Sequence, residues 1–263
     1  MQDLTITLIQ PNPIWHQIER NLDMFTATLG NITQASDLVI LPEMFTTGFT
    51  MEPQVVAEPM NSRTHTWMKL QAAKLNAVLC GSIVVEENGQ YYNRFLWITP
   101  QGETSYYDKR HLFRMTDEHH HYKEGTKPLT IAYKGWKVRP LICYDLRFPV
   151  YARNKVNDSI FDYDILLYVA NWPQARIIAW DTLLRARAME NYCFTIGVNR
   201  TGSDQNNIVY NGNSAVYSSK GEQICKVEGE TAVTITLAQE MLHNYRSKFP
   251  AYLDADKFRL EDL

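Results

Sequence analysis

Residues 138–149 read VRPLICYDLRFP, and the change of character at Cys143 decides the fold and points to the chemistry. Leu141 and Ile142 have the aliphatic character of a buried strand, whereas Asp145, Arg147 and Pro149 cannot continue one. Cys143 therefore falls at a strand-to-loop elbow, which holds a side chain rigidly while exposing its tip. A thiolate held this way, with backbone N–H groups turning toward it, suits a nucleophile with its own oxyanion hole. A lone cysteine after an apolar run is more often a small buried hydrophobe, so Cys143 needs chemical partners elsewhere in the chain.

Working outward, strands and helices recur on both sides of the elbow. In residues 4–10, Leu4, Ile6 and Leu8 face one way and Thr5, Thr7 and Ile9 the other, the alternation of a strand. Ile18, Leu22, Phe25 and Leu29 recur at helical spacing, and LVILPE, residues 38–43, forms an apolar second strand. This β-α-β order predicts an α/β architecture with helices outside. A helix over 63–75 is expected to pack through Trp67, Leu70, Gln71 and Leu75, followed by a strand over 78–85. Turns at Asn88-Gly89 and Gln101-Gly102 then join strands over 91–99 and up to Lys109, so part of the sheet is antiparallel and a simple doubly wound fold is excluded. Beyond the elbow, residues 165–170 and 193–199 read as strands flanking a helix over 175–191. In that helix Ile178, Leu183, Ala186 and Met189 are available for packing. Three more strands follow, over 213–217, 222–227 and 232–237. The tail, 238–263, starts helical and ends in Phe249, Tyr252, Leu253, Phe258 and Leu260. These have no evident local core and are expected against a neighbouring surface or subunit.

With 263 residues, 45% of them hydrophobic, and no break in composition, the chain reads as one globular domain over 1–263. A net charge of -3 gives no electrostatic reason to expect nucleic acid or an anionic membrane as partner. Cys80, Cys143, Cys193 and Cys225 lie far apart, which suggests reduced thiols rather than a disulfide framework, and no pair has a close zinc-ligand spacing. The opening MQDLTITLIQPNP lacks a basic leader and a long apolar run. No stretch approaches the roughly twenty apolar residues that cross a bilayer, so a cytoplasmic enzyme is expected.

Glu43, Lys109 and Cys143 each stand at the end of a predicted strand, and such ends collect in one crevice in sheet folds. Singly, Glu43 and Lys109 read as solvated loop charges. Together the three are chemically complete: a carboxylate takes the thiol proton, an ammonium stabilises thiolate and oxyanion, and the sulfur forms the covalent intermediate. Residues 109–125, KRHLFRMTDEHHHYKEG, are the densest polar stretch. The side chains of His119, His120 and His121, being adjacent, are expected to diverge, which favours a solvated or substrate-rim role over a metal site.

LPEMFTTGF around Glu43, YYDKRHLF around Lys109 and LICYDLRFP around Cys143, in this order, resemble the nitrilase superfamily of carbon–nitrogen hydrolases over nearly the whole chain. The resemblance implies a Glu43, Lys109, Cys143 triad, with Glu118 rather than Glu124 as the further glutamate that supports the nucleophile. It also implies a four-layer α-β-β-α sandwich, a homodimer in which helices meet, and no metal or organic cofactor. KRHLFRMTDEHHHYKEG with ANWPQAR and GVNRTGSD is most similar to the bacterial omega-amidase branch. That implies a small-molecule substrate, the terminal amide of a short 2-oxo dicarboxylic acid monoamide such as 2-oxoglutaramate or 2-oxosuccinamate. The alternatives are a nitrilase or N-carbamoyl amide hydrolase using the same triad, or a non-catalytic binding protein, which would lack a triad group. A substrate with a far carboxylate calls for an arginine. Arg147 is the first candidate, Arg114 and Arg176 are rivals, and the structural alternative is that Arg147 only pairs with Asp145. Phe45, beside Phe49, and Trp172 are expected as apolar walls, with the Tyr144 backbone N–H in the oxyanion hole.

Overall fold

A computed structural model describes residues 2–256 and 258–259, and in it two six-stranded sheets lie face to face. The first has the order Thr231–Leu237, Leu4–Gln10, Leu38–Ile40, Val78–Glu87, Gln90–Ile98, Thr104–Asp108. The second has the order Gln223–Lys226, Ala215–Tyr217, Phe194–Val198, Ile165–Val169, Trp136–Ile142, Ile131–Tyr133. Helices Ile18–Gly30 and Arg63–Leu75 cover the outer face of the first sheet, and helix Ile177–Glu190 packs on the second. The layers are therefore α-β-β-α.

The alternation in the sequence explains the layering. Leu4, Ile6, Leu8, Leu38, Ile40, Phe95 and Trp97 point inward to meet Val138, Ile165 and Leu167 of the facing sheet in one core. The intervening Ile9, Val39, Leu79, Leu96 and Ile98 point outward against Leu22, Phe25, Leu29, Met68 and Ala72 of the helices. A one-residue slip of the first strand would turn Leu4, Ile6 and Leu8 out of the core. At roughly 1.5–3 kcal/mol for each buried side chain, that penalty fixes the register.

Three readings need correction. In helix Ile177–Glu190 the buried residues are Trp180, Leu184, Arg187 and Ala188, while Ile178 and Met189 are 80% and 47% exposed. Apolar residues occur on several sides of this helix, so spacing alone did not select the face. In helix Arg63–Leu75, Leu70 is exposed and Met68 and Ala72 take the inward positions. The tail does find local partners: Leu242 is fully buried, Arg246 pairs with Asp164 at 2.6 Å, and Tyr245 and Tyr252 pack on Tyr192. Phe249 and Leu253 nevertheless remain exposed, and Leu260 lies outside the described residues.

Strand direction places the chemistry. Leu4–Gln10, Leu38–Ile40 and Val78–Glu87 are mutually parallel, and two successive antiparallel pairings return Thr104–Asp108 to the same sense. Trp136–Ile142, Ile165–Val169 and Phe194–Val198 are parallel in the second sheet. The carboxyl ends of these strands lead into Glu43, Lys109, Cys143, Asn171 and Asn199. No helix among the described residues is long and apolar enough to cross a membrane.

Candidate active site

Strand Trp136–Ile142 stops at Cys143, whose backbone turns into the left-handed region at φ 43° and enters a 3-10 turn over Cys143–Arg147. A non-glycine residue there is held at a cost of about 1–3 kcal/mol, which surrounding contacts must offset. Asp145 supplies many of them. Its buried carboxylate accepts the Ile142 N–H at 2.9 Å, the Tyr107 hydroxyl at 2.8 Å and the His111 N–H at 3.0 Å, and it meets His111 Nδ1 at 2.7 Å. From the helix behind, Arg187 donates to the Leu146 carbonyl at 2.7 Å. Tyr144 sits at the start of the turn, where backbone N–H groups have no intrahelical acceptor and can face a developing oxyanion.

Glu43 is fully buried, and three donors orient it. Its Oε1 accepts from Lys109 Nζ at 3.0 Å and Asn93 Nδ2 at 2.7 Å, and its Oε2 accepts the Asn171 N–H at 2.8 Å. Asn93 is itself fixed by the Ser82 hydroxyl at 2.8 Å, and the Asn171 amide also holds the Glu43 carbonyl at 2.7 Å. Lys109 lies between two carboxylates, reaching both oxygens of Glu118 at 2.9 and 3.0 Å. Gly125 locks the chain beside it. The Gly125 N–H donates to the Lys109 carbonyl at 2.9 Å, and any Cβ would lie 2.0 Å from the Asp108 carbonyl oxygen.

These contacts set the charges. Burial alone would depress the Lys109 ammonium, but Glu118 and Glu43 overcome it and hold the group above its ordinary value, so Lys109 stays charged. Burial raises Glu118 against the pull of Lys109 and the Phe113 N–H. Burial also pushes the Cys143 thiol well up, and Glu43 adds to the rise while Lys109 opposes it. The resting sulfur is thus a thiol beside a carboxylate able to take its proton, and attack requires that transfer.

Cys143 opens into a pocket walled by Phe49, Phe113, Tyr144, Trp172 and Tyr210, with Lys109, Arg147 and Arg176 as its cations. Of the expected residues, Tyr144, Arg147 and Trp172 line it with Lys109 and Cys143. Glu43 and Glu118 stand behind Lys109. Phe45 does not reach it: this fully buried ring packs edge-on against Phe25 at 5.2 Å and beside Trp67 on the outer face of the first sheet. The chain turns over residues 43–47, with Met44 at φ 43°, and this sends Phe45 into the helix layer, while Phe49, beyond Gly48, supplies the wall instead. Arg147 is not a partner of Asp145, whose oxygens are taken by Ile142, Tyr107 and His111. Arg114 is not among the residues that line the pocket.

Asn93 and Asn171 are functional candidates that the sequence did not single out. Asn171 had a faint signal, a polar residue just past an apolar parallel strand; Asn93, inside a hairpin strand, had none. The histidines also differ from expectation. The His119 and His120 rings lie 3.9 Å apart, and with Asp117 their ligand atoms fall within 4.8 Å of one another. This partly exposed cluster is outside the pocket, and the chemistry of Cys143 does not pass through it. A larger open hollow beside Lys137 and Phe161, about 460 Å³, lies at the opposite end of the Cys143 strand and is lined by no cysteine.

The family model described as carbon-nitrogen hydrolase matches residues 5–247. An omega-amidase, YafV, of Escherichia coli K12 is 44% identical, covering 99% of this chain and 100% of that protein. A 2-oxoglutaramate amidase of Bacillus subtilis is 29% identical over 96% of this chain and 98% of that one. The crystal structure of XC1258 from Xanthomonas campestris is described as a CN-hydrolase superfamily protein with an arsenic adduct in the active site. It superposes with a TM-score of 0.97 at 46% identity, covering 99% of this chain and 100% of that one.

Proposed function

The chain belongs to the carbon–nitrogen hydrolase family and hydrolyses amides, and from that premise we propose that it is an omega-amidase. Its substrate is the terminal amide of a short 2-oxo dicarboxylic acid monoamide, 2-oxoglutaramate or 2-oxosuccinamate, which it converts to the acid and ammonia. The observation that carries this reading is one pocket containing Cys143, the Lys109 cation held by two buried carboxylates, and two arginines. The names of the Escherichia and Bacillus relatives support the substrate class.

In the proposed mechanism Glu43 takes the Cys143 proton as sulfur bonds to the amide carbonyl carbon. Glu43 returns that proton to nitrogen, the C–N bond breaks and ammonia leaves a thioester. Water then loses a proton to Glu43 and adds to the thioester, and as the C–S bond breaks to release the acid Glu43 returns that proton to sulfur, restoring the thiol and the carboxylate. Lys109, whose ammonium has three N–H groups, shares its donors between the carboxylates and the oxyanion, with the Tyr144 N–H as second donor. Glu118 positions Lys109 and does not touch the substrate. No step requires a metal or organic cofactor.

Ammonia release measured on 2-oxoglutaramate, 2-oxosuccinamate, glutamine and a simple nitrile tests the function. The two monoamides are expected to be hydrolysed fastest. A preference for the nitrile would replace the reading with a nitrilase, and no turnover of any would favour a binding protein.

The same reading includes one domain over the chain, a cytoplasmic setting and a homodimer. The resemblance to the family, and the apolar Phe249 and Leu253 left exposed on the C-terminal tail, support the last. Sedimentation is expected to give a dimer at micromolar concentration. A stable monomer there would rule the dimer out.

A further inference from the structure

Amide hydrolysis at Cys143 leaves two charges in the pocket unused. Lys109 is balanced by Glu43 and Glu118, but the Arg147 and Arg176 guanidiniums have no acidic partner and no hydrogen-bond acceptor among the described residues, and no carboxylate lines the pocket. Each is instead restrained by an aromatic face. Arg147 lies 5.0 Å from the Trp172 ring centroid and Arg176 lies 5.2 Å from that of Phe113. The two supports are tied together, because the Trp172 indole N–H donates to the Arg176 carbonyl at 2.8 Å. Trp172 is itself pinned through its backbone to Asn199 at 2.8 and 3.0 Å. A guanidinium held over an aromatic face is restrained without spending its N–H donors, which remain available to a ligand.

We propose that Arg147 and Arg176 act as one two-guanidinium subsite that recognises the planar 2-oxo-carboxylate end of the substrate and rejects the otherwise identical 2-amino acid amide. The inference rests on the omega-amidase reading and adds the residues that select the substrate. A 2-oxo carboxylate offers three acceptor oxygens in one region and no donor, which matches two planar donor forks. Replacing the oxo group by an ammonium removes one acceptor and sets a positive charge against two guanidiniums. With no carboxylate on the pocket wall, that ammonium has nothing to receive it. Chain length does not distinguish the two amides, so discrimination falls to charge.

Three amides of one chain length separate the contributions: 2-oxoglutaramate, glutaramate without the oxo group, and glutamine. Arg147→Gln and Arg176→Gln are each expected to lower kcat/KM for 2-oxoglutaramate about 30-fold, through KM more than kcat, the loss of a charge-assisted hydrogen bond. Glutamine, which loses the same carboxylate contact but is relieved of a repulsion between its ammonium and the guanidinium, is expected to fall by no more than about threefold, so selectivity for the 2-oxo acid over glutamine falls at least about tenfold. Equal losses on all three amides, or selectivity that survives Arg176→Gln in an active enzyme, would overturn the subsite and leave the omega-amidase reading standing. A wild-type enzyme that releases no ammonia from either monoamide would overturn both. Should the variants fail to fold, inhibition of the wild-type enzyme decides: 2-oxoglutarate is expected to inhibit at concentrations at least about tenfold below glutamate. Equal inhibition would remove the proposal.

Discussion

Cys143→Ala is expected to reduce kcat by on the order of a millionfold, to the detection floor, because removing the nucleophile removes the covalent route and the other groups cannot act without it. The fold should survive. Cys143 is only partly buried, alanine fits the space of the thiol, and the clamp on the turn is made by Asp145 and Arg187 rather than by sulfur. The backbone supplies a sharper check. At φ 43° any residue with a Cβ is strained, so Cys143→Gly should be inactive as well yet more stable than Cys143→Ala by roughly 1 kcal/mol. Thermal melts of the two variants measure that difference, and a coupled ammonia assay measures turnover. Substantial ammonia release by Cys143→Ala would end the proposed mechanism, whereas Cys80 and Cys193, buried in the core, should be dispensable for chemistry.

What the sequence made legible, and what it concealed, follows from how each feature is encoded. Strand alternation is a local signal with period two, so the inward row Leu4, Ile6 and Leu8 and the Asn88-Gly89 turn could be read directly. The common crevice was legible because Glu43, Lys109 and Cys143 each stand at the end of a predicted strand, and strands running in one sense deliver their ends to one edge of a sheet. Phe45 was misplaced because the chain turns over residues 43–47, with Met44 at φ 43°, and carries the ring to the helix side, a matter of backbone direction that composition does not record. Helix Ile177–Glu190 misled for a different reason. Its core face is made by Trp180 and Leu184 while Arg187 is buried by bonding Glu190 and the Leu146 carbonyl, so polarity did not mark the outside. Asn93 and Asn171 were missed because each gains its role only from meeting Glu43, Asn93 through its side-chain amide and Asn171 through its backbone N–H, and those meetings span 50 and 128 residues of chain.

Glu43→Gln and Glu118→Gln, each a change of one atom, are expected to separate two buried carboxylates that share one lysine. Glu43→Gln should lower kcat by about 10⁴-fold, since a neutral amide cannot take the thiol proton in the first half-reaction or the water proton in the second. The substitution also carries a structural penalty. Glu43 accepts from Lys109 and Asn93 on one oxygen and from the Asn171 N–H on the other, so the new NH₂ group must oppose a donor, costing about 1–3 kcal/mol. Activity loss must therefore be read on protein shown to be folded by its melt. Glu118→Gln differs because Glu118 contacts Lys109 and the Phe113 N–H and lies behind the reacting atoms. Without its charge Lys109 remains paired with Glu43, drawing that carboxylate's electrons away from the thiol and making it a weaker base. Turnover should fall while Cys143 remains labelled by a thiol-reactive probe. In Glu43→Gln, labelling and thioester formation should fall together. A fully active Glu118→Gln would show that Lys109 needs no second carboxylate, and equal labelling of both variants would remove the distinction between the base and the group that positions the lysine.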